Sequence, residues 1–411
     1  MNKPYVKLFF LCVIFLRPLS AGAADFGLAL NQEAKTSNEA GGDGAFFYTP
    51  TIKPWLSASP GESVSLYLSA GVGFDYTADF GGGSAWRSPA ALPEIERTEL
   101  TWTASPSLYV RLGRQRFRDP AGLIAAGLFD GLSAGFSAGG GRFSLGAWYT
   151  GLLYRDTADI VMTARDQTEY QEPYSLKGGY FASRRGMVSF EWENPGLGPR
   201  SSLALGVLGQ FDLNGGGDKF HSQYLSARYG FRPSGSVELG ASGVFGIGED
   251  PEFAVFFAGG LGLTWTPPGG PEDRVSFQGL YSSPSGGERL KPFIPVSSVP
   301  QGEVFGPALR GVSVFRGSYT LRPRPSLTLT GEVLYFIRTD TVSFTDSREP
   351  GKLKGEGYFL GGECYGAAVW SPLPDFALTL GGGAFFPRIG NAFTEDAAIR
   401  WKAAAGVILS L

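Results

Sequence analysis

The chain has 411 residues, 61 of them glycine, with 14% aromatic residues and only 18% charged ones. Soluble secreted domains carry about 25% charged residues, so this composition argues against an ordinary soluble domain. A formal net charge of −3 leaves no basic excess for a nucleic-acid partner.

The N-terminus reads as a secretory signal. Lys3 and Lys7 precede an apolar run from Leu8 to Leu16, and small residues from Ser20 to Ala24 offer cleavage at Ala23 or Ala24. Residues 1–24 are thus expected to be removed, leaving 25–411 as a single domain. Loss of Lys3, Lys7 and Arg17 takes Lys+Arg from 35 to 32 against 38 Asp+Glu, a mature charge of about −6. Cys12 lies in the signal after Leu11, where a lipidated cysteine would follow a small residue. Cys364 is then the lone mature cysteine, and no intramolecular disulfide can form. Past the signal, no stretch approaches the ~20 apolar residues that a membrane helix needs.

The mature chain alternates with period two instead. In 63–76, Val64, Leu66, Leu68, Ala70, Val72, Phe74 and Tyr76 share one face, and Ser65, Tyr67, Ser69, Gly71, Gly73 and Asp75 share the other. The first face suits lipid and the second a wet lumen. The same split recurs in 142–154, 326–338 and 399–411. Many strands reach the ~9–11 residues of a membrane strand.

Short Pro/Gly turns fall at 59–61, 105–107, 138–141, 194–200, 233–235, 267–273, 323–325 and 371–374. Between them come mostly longer, polar connections at 31–45, 81–93, 118–127, 155–173, 214–218, 248–252, 283–307, 339–355 and 387–397. Eight turns alternating with nine loops predict an all-β fold. It is a transmembrane antiparallel β-barrel of eighteen strands (sixteen if the first hairpin is misread), with short periplasmic turns and longer extracellular loops. The setting is the outer membrane of a diderm bacterium.

The last strand keeps Trp401, Ala403, Ala405, Val407, Leu409 and Leu411 on one face. It is similar to the signal read by the barrel-assembly machinery, although Leu411 stands where an aromatic residue is usual. Phe46, Phe47, Tyr48, Trp102, Trp148, Trp265 and Trp370 lie near strand ends and are expected at the headgroup level. A wide barrel is expected to hold no compact apolar core for them.

Two segments carry a family resemblance. In 108–135, Arg111-Leu112-Gly113-Arg114-Gln115 ends a strand and Phe129-Asp130-Gly131 opens the next. In 361–386, Gly362-Glu363 is followed by Pro372 and Pro374, Leu378 to Leu380 and Phe385-Phe386. These resemble the alginate-export family of outer-membrane channels. The resemblance implies a monomeric eighteen-stranded, porin-like channel and does not by itself fix a polyuronate substrate.

Phasing each strand by its apolar face points Arg97, Glu99, Arg111, Gln115, Glu191, Glu193, Arg228, Arg310, Arg316, Glu332, Arg338, Glu363, Arg400 and Lys402 inward. Rings of charge set pore selectivity, and the arginine excess favours anions. The competing reading is a lattice of Arg–Glu braces, since charges near a low-dielectric wall tend to pair. Arg111, Arg310, Arg316 and Arg338 are the expected selective charges, with Glu332 and Glu363 holding their rotamers. Tyr67, Tyr109, Trp148, Tyr154, Tyr224 and Tyr365 are expected to offer rings to sugar faces.

Gly131-Leu132-Ser133-Ala134-Gly135 matches a nucleophile elbow, but that motif needs a strand–turn–helix context and a histidine partner. His221, the sole histidine, beside Ser222 is similar to a lipid-facing hydrolase pair that lacks its third member. No catalysis, cofactor or metal is expected. The loop 214–218 has too few carboxylates for Ca²⁺, and Asp156, Asp159, Asp166, Glu169 and Glu172 read as solvated loop charge. The first strand follows the signal closely, leaving no plug or energy-coupling segment. The resulting expectation is a passive diffusion channel for small hydrophilic, weakly anion-preferred solutes, saccharide-like or carboxylated. Its partners are outer-membrane lipids and the assembly machinery. A surface adhesin or structural barrel, and a hydrophobic-substrate transporter, are the alternatives.

Overall fold

The computed structural model describes residues 24–38, 44–81, 83–87, 94–155, 158, 160–161, 166, 180–215, 219–250, 252–268, 272–297, 299–346 and 351–411. The signal at 1–23 lies outside the described residues, as do Asp156, Asp159, Glu169, Glu172 and 216–218.

Twenty strands form one antiparallel sheet. In chain order they are β1 (Ala24–Ser37), β2 (Ala45–Gly61), β3 (Val64–Gly73), β4 (Asp75–Asp79), β5 (Ser84–Arg87), β6 (Glu94–Ser105), β7 (Leu108–Arg118), β8 (Ala126–Ala138), β9 (Gly141–Tyr149) and β10 (Arg185–Gly198). They continue as β11 (Ser201–Asp212), β12 (His221–Ser234), β13 (Val237–Asp250), β14 (Glu252–Trp265), β15 (Arg274–Ser282), β16 (Val312–Arg324), β17 (Leu327–Arg338), β18 (Phe359–Leu373), β19 (Phe376–Phe386) and β20 (Arg400–Ser410). β4 and β5 are a hairpin that continues the sheet above β2, at its loop end. The other eighteen strands pair each with the next, and β1 closes on β20 from Ser37↔Lys402 to Ala29↔Ser410. Closure leaves no strand edge, which lipid demands because it offers backbone groups no hydrogen-bond partner.

The alternation reads out directly as two faces. Leu205, Val207, Leu225, Phe245, Phe257, Phe315 and Val333 are exposed on the outside, whereas their sequence neighbours Ala204, Leu208, Ser226, Val244, Ala258, Val314 and Leu334 are buried inside. One exception to smooth pairing needs glycine. Gly113 takes φ +114°, and a Cβ there would lie 1.9 Å from the Thr98 carbonyl oxygen.

Two expectations shift. β1 runs to Ser37, because Asn31, Glu33 and Lys35 are lumen-side residues of a strand rather than the start of a loop. β13 runs to Asp250 and β14 begins at Glu252, so that connection is nearly as short as the turns.

The larger correction concerns the core. The described residues of the loops 119–125, 283–311, 339–358 and 387–399 fold into the mouth of the barrel and fill it with apolar side chains. Ile124, Phe293, Val296, Phe305, Leu309 and Phe393 from loops meet Phe117, Phe129, Trp148, Phe256, Phe336 and Phe385 from the wall. Trp148 is therefore an inner core residue, tilted against Phe117 at 4.8 Å, while Trp102, Trp265 and Trp370 do face outward near the short turns. The barrel does hold a compact apolar core, at its loop end, because these loops are too apolar to stand in water.

Candidate functional site

The inward loops leave a charged lumen whose two halves differ. Along β3, β6 and β7 the charges are paired. Glu99 accepts Arg97 at 2.8 Å and Arg111 at 3.1 Å, and Lys53 meets Glu96 at 2.5 Å. The Arg97 guanidinium lies over the Tyr67 ring at 4.8 Å and that of Arg111 over Tyr109 at 5.1 Å. Gln115 accepts the Ser133 hydroxyl at 2.7 Å, so Ser133 serves the wall and sits nowhere near His221. Half-buried His221 starts β12, its Nδ1 accepting the Asp212 N–H at 3.2 Å.

Across the barrel the charges hold loop 283–311 in place. Glu363 accepts the N–H groups of Glu303 at 2.7 Å, Val304 at 3.1 Å and Phe305 at 2.8 Å. Its role is to anchor this loop, not to hold an arginine rotamer. Arg316 donates to the Gln301 carbonyl at 2.8 Å and stands 3.9 Å from Glu332. Lys402 reaches Glu303 at 3.4 Å, and the Tyr224 hydroxyl donates to the Ile294 carbonyl at 2.8 Å.

Three arginines lie off the open pore surface or off the wall. Arg338 is buried and donates to the carbonyls of Gly357, Lys354 and Thr341, so its charge is spent on loop 339–358. Arg400 is fully buried, ion-paired with Asp346 and laid over the rings of Phe305, Phe385 and Phe393. Arg310 precedes β16 in the loop and is exposed there. Tyr154 likewise leaves the wall and packs on Tyr180 at 4.9 Å. Asp166, expected in solvent, is buried against Arg185.

A further recess of the lumen is bounded by β9 to β12 and loop 119–125. The loop is built by Asp119, whose carboxylate accepts the N–H groups of Gly122, Leu123, Ile124 and Ala125 at 2.8–3.4 Å. Burial raises the pKa of this carboxyl above its usual 3.8, against those four donors, which lower it. The turn lays Pro120 on Gly206 of β11, where any Cβ would lie 2.9 Å from the proline ring. Ile124 is tied to loop 283–311 by the N–H of Val296 at 2.7 Å.

Beneath this turn is a cavity of ≈ 290 Å³ lined by Arg118, Arg142, Glu191, Glu193 and Arg228 among others. Strand register orders them. Arg142, Glu193, Ala204 and Arg228 form one row across β9 to β12, and Glu191 stands two residues further along β10. Among the described residues, none of Arg118, Arg142 and Arg228 forms an ion pair. Oε1 of Glu191 is buried and accepts no hydrogen bond. The cavity therefore presents guanidinium groups that form no ion pair together with the carboxylates of Glu191 and Glu193. It suits a small solute with an acid at one end and hydroxyl donors at the other. Among the described residues, no three His, Cys, Asp or Glu side chains gather to hold a metal.

Glu191, Glu193 and Arg228 were legible from strand phase. Arg142 was not singled out, although it opens an alternating strand on the polar face. Arg118 and Asp119 gave no periodic signal, because they sit where the strand ends.

No protein family matches the sequence, and no curated protein does. Solved structures do match in shape. The outer membrane protein OprD from Pseudomonas aeruginosa aligns with a TM-score of 0.58 at 13% identity, over 94% of this chain and 93% of that one. OccK2 (OpdF) of the same organism, in complex with glucuronate, aligns at 0.58 and 13%, over 94% and 98%. OccK7 (OpdD), also from P. aeruginosa, aligns at 0.59 and 12%, over 95% and 99%. At such identities the likeness is one of fold: this chain is a closed antiparallel barrel of eighteen strands built like OprD.

Proposed function

We propose that the chain is a porin-like outer-membrane channel for passive diffusion of small hydrophilic solutes, with a weak preference for carboxylated, saccharide-like anions. The observation that carries this reading is the trio of unpaired arginines facing the cavity under loop 119–125. A sugar acid fits that chemistry, its carboxylate on Arg142 or Arg228 and a hydroxyl on the carboxylate of Glu193. Glucuronate, held by the similarly folded OccK2, is such a solute. The selective charge shifts from Arg111 and Arg316, which have partners, to Arg118, Arg142 and Arg228. The chain works as a monomer, enters the membrane through its last strand, and sheds residues 1–24 on export. The alginate-export-like kinship rests on segments 108–135 and 361–386, which also contain the Asp119 turn and Glu363.

Replacing both Arg142 and Arg228 by Ala lowers the anion/cation permeability ratio in planar bilayers, since each loss removes a fixed positive charge from a narrow pore. An unchanged ratio in a barrel that folds and conducts would sink this assignment. Orientation has its own check. Single cysteines at Val342, highly exposed in loop 339–358, and at Ser234, exposed at a short turn, are probed with an impermeant reagent on intact cells. Val342→Cys labels and Ser234→Cys does not; the reverse pattern would invert the barrel.

A further inference from the structure

The outer face of β7 to β12 is not uniform at its loop end. Ala147 and Gly186 lower the floor there, and Tyr149, Val188, Phe211 and Leu213 rise around it, enclosing a groove of ≈ 430 Å³. Val188, Phe211 and Leu213 are exposed although strongly apolar, as expected for side chains in contact with hydrocarbon. The groove's upper end is polar. Arg114 lies on this outer face, buried, with Nε and Nη2 on the two oxygens of Asp130 at 3.0 and 2.9 Å and Nη2 also on the Leu152 carbonyl at 2.8 Å. That pair is satisfied and forms a wall.

Two further arginines stand beyond it on the same face. Arg116 is the next outward residue of β7, and Arg184 immediately precedes β10, its backbone fixed by Asn214 and Leu213. Both are exposed, and among the described residues neither forms an ion pair. They flank the groove across three strand spacings, roughly 14 Å. An apolar trough continuous with the lipid-facing band, with two unspent cations at its mouth, has the charge and shape complement of one amphiphile.

We propose that this groove is a binding site for an anionic lipid of the loop-side leaflet, one acyl chain lying on Ala147 and Gly186 and the phosphate held between Arg116 and Arg184. The inference rests on the reading that the barrel spans a membrane. Two exposed arginines at the mouth of an apolar groove make occupancy here selective rather than annular. Arg–phosphate contacts supply the selectivity, each near-surface arginine adding to the attraction for anionic headgroups.

The full-length mature protein is reconstituted into vesicles of equal parts phosphatidylcholine and phosphatidylglycerol. One or the other lipid carries a photoactivatable diazirine on an acyl chain, and labelled peptides are mapped by mass spectrometry. The expected result is labelling at Tyr149, Phe211 and Leu213 that favours phosphatidylglycerol by on the order of tenfold, with no preference at Leu261 or Val333 elsewhere on the belt. Arg116→Gln with Arg184→Gln abolishes the preference while leaving belt labelling intact. Equal labelling of the groove by both lipids in the wild-type protein would overturn the site yet leave the membrane-spanning reading standing. No labelling anywhere on the barrel would overturn both.

Discussion

Glu363→Ala enlarges the pore. The carboxylate is buried against Glu303, Val304 and Phe305 and accepts their three N–H groups. Hydrogen bonds to charged groups contribute about 1.5–3 kcal/mol each, so the substitution removes several kcal/mol of docking energy from loop 283–311. Phe305 then loses its register on Phe385, where the rings now stack at 4.1 Å. The sheet itself is untouched, since the backbone of β18 keeps its ladders to β17 and β19. The loop leaves the lumen, single-channel conductance rises, and the folded barrel still shifts its mobility on heating in detergent gels. Wild-type conductance from folded Glu363→Ala protein would mean that this loop does not constrict the pore.

Arg185→Ala produces the largest loss of stability. Arg185 is buried between Asp166 and Asp212, with Nη1 2.6 Å from the latter. Both acids are buried and hold Asn214 besides. Removing the cation breaks the buried pairs with Asp166 and Asp212, and a broken buried pair costs about 3–5 kcal/mol. The damage falls on the loop end, where Arg185 joins β10 to the residues before it. Protease cleavage near 150–184 accelerates and the denaturation midpoint falls. Combining Arg185→Met with Asp166→Asn and Asp212→Asn restores much of the loss, because it removes the uncompensated charge rather than isolating it. An Arg185→Ala protein as stable and protease-resistant as the parent would show that the network carries little.

The sheet was legible because each of its rules is local. Period-two alternation fixes which side chains face lipid, and Pro/Gly turns fix where the chain reverses. All eight short turns and the strand count therefore follow from residues read singly. β1 looked doubtful since Asn31, Glu33 and Lys35 resemble a loop until their neighbours are seen to alternate with them. The inward loops were harder, because their fate depends on partners distant in sequence. A signal was present all the same: Phe293, Ile294, Val296, Val304, Phe305 and Leu309 are too apolar for a loop in water. Which arginines carry free charge was not legible at all. Arg97, Arg111 and Arg316 alternate like Arg142 and Arg228, and only side-chain conformation in the folded barrel decides which of them meets a carboxylate. Arg97 and Arg111 reach Glu99, whereas Arg142, opposite Glu193, forms no ion pair among the described residues.

Conduction is the property on which the proposed channel function rests. The purified mature protein, folded and inserted into a planar lipid bilayer under a salt gradient, gives discrete current steps and a reversal potential on the anion-selective side. Folded barrels that insert but never conduct would contradict it.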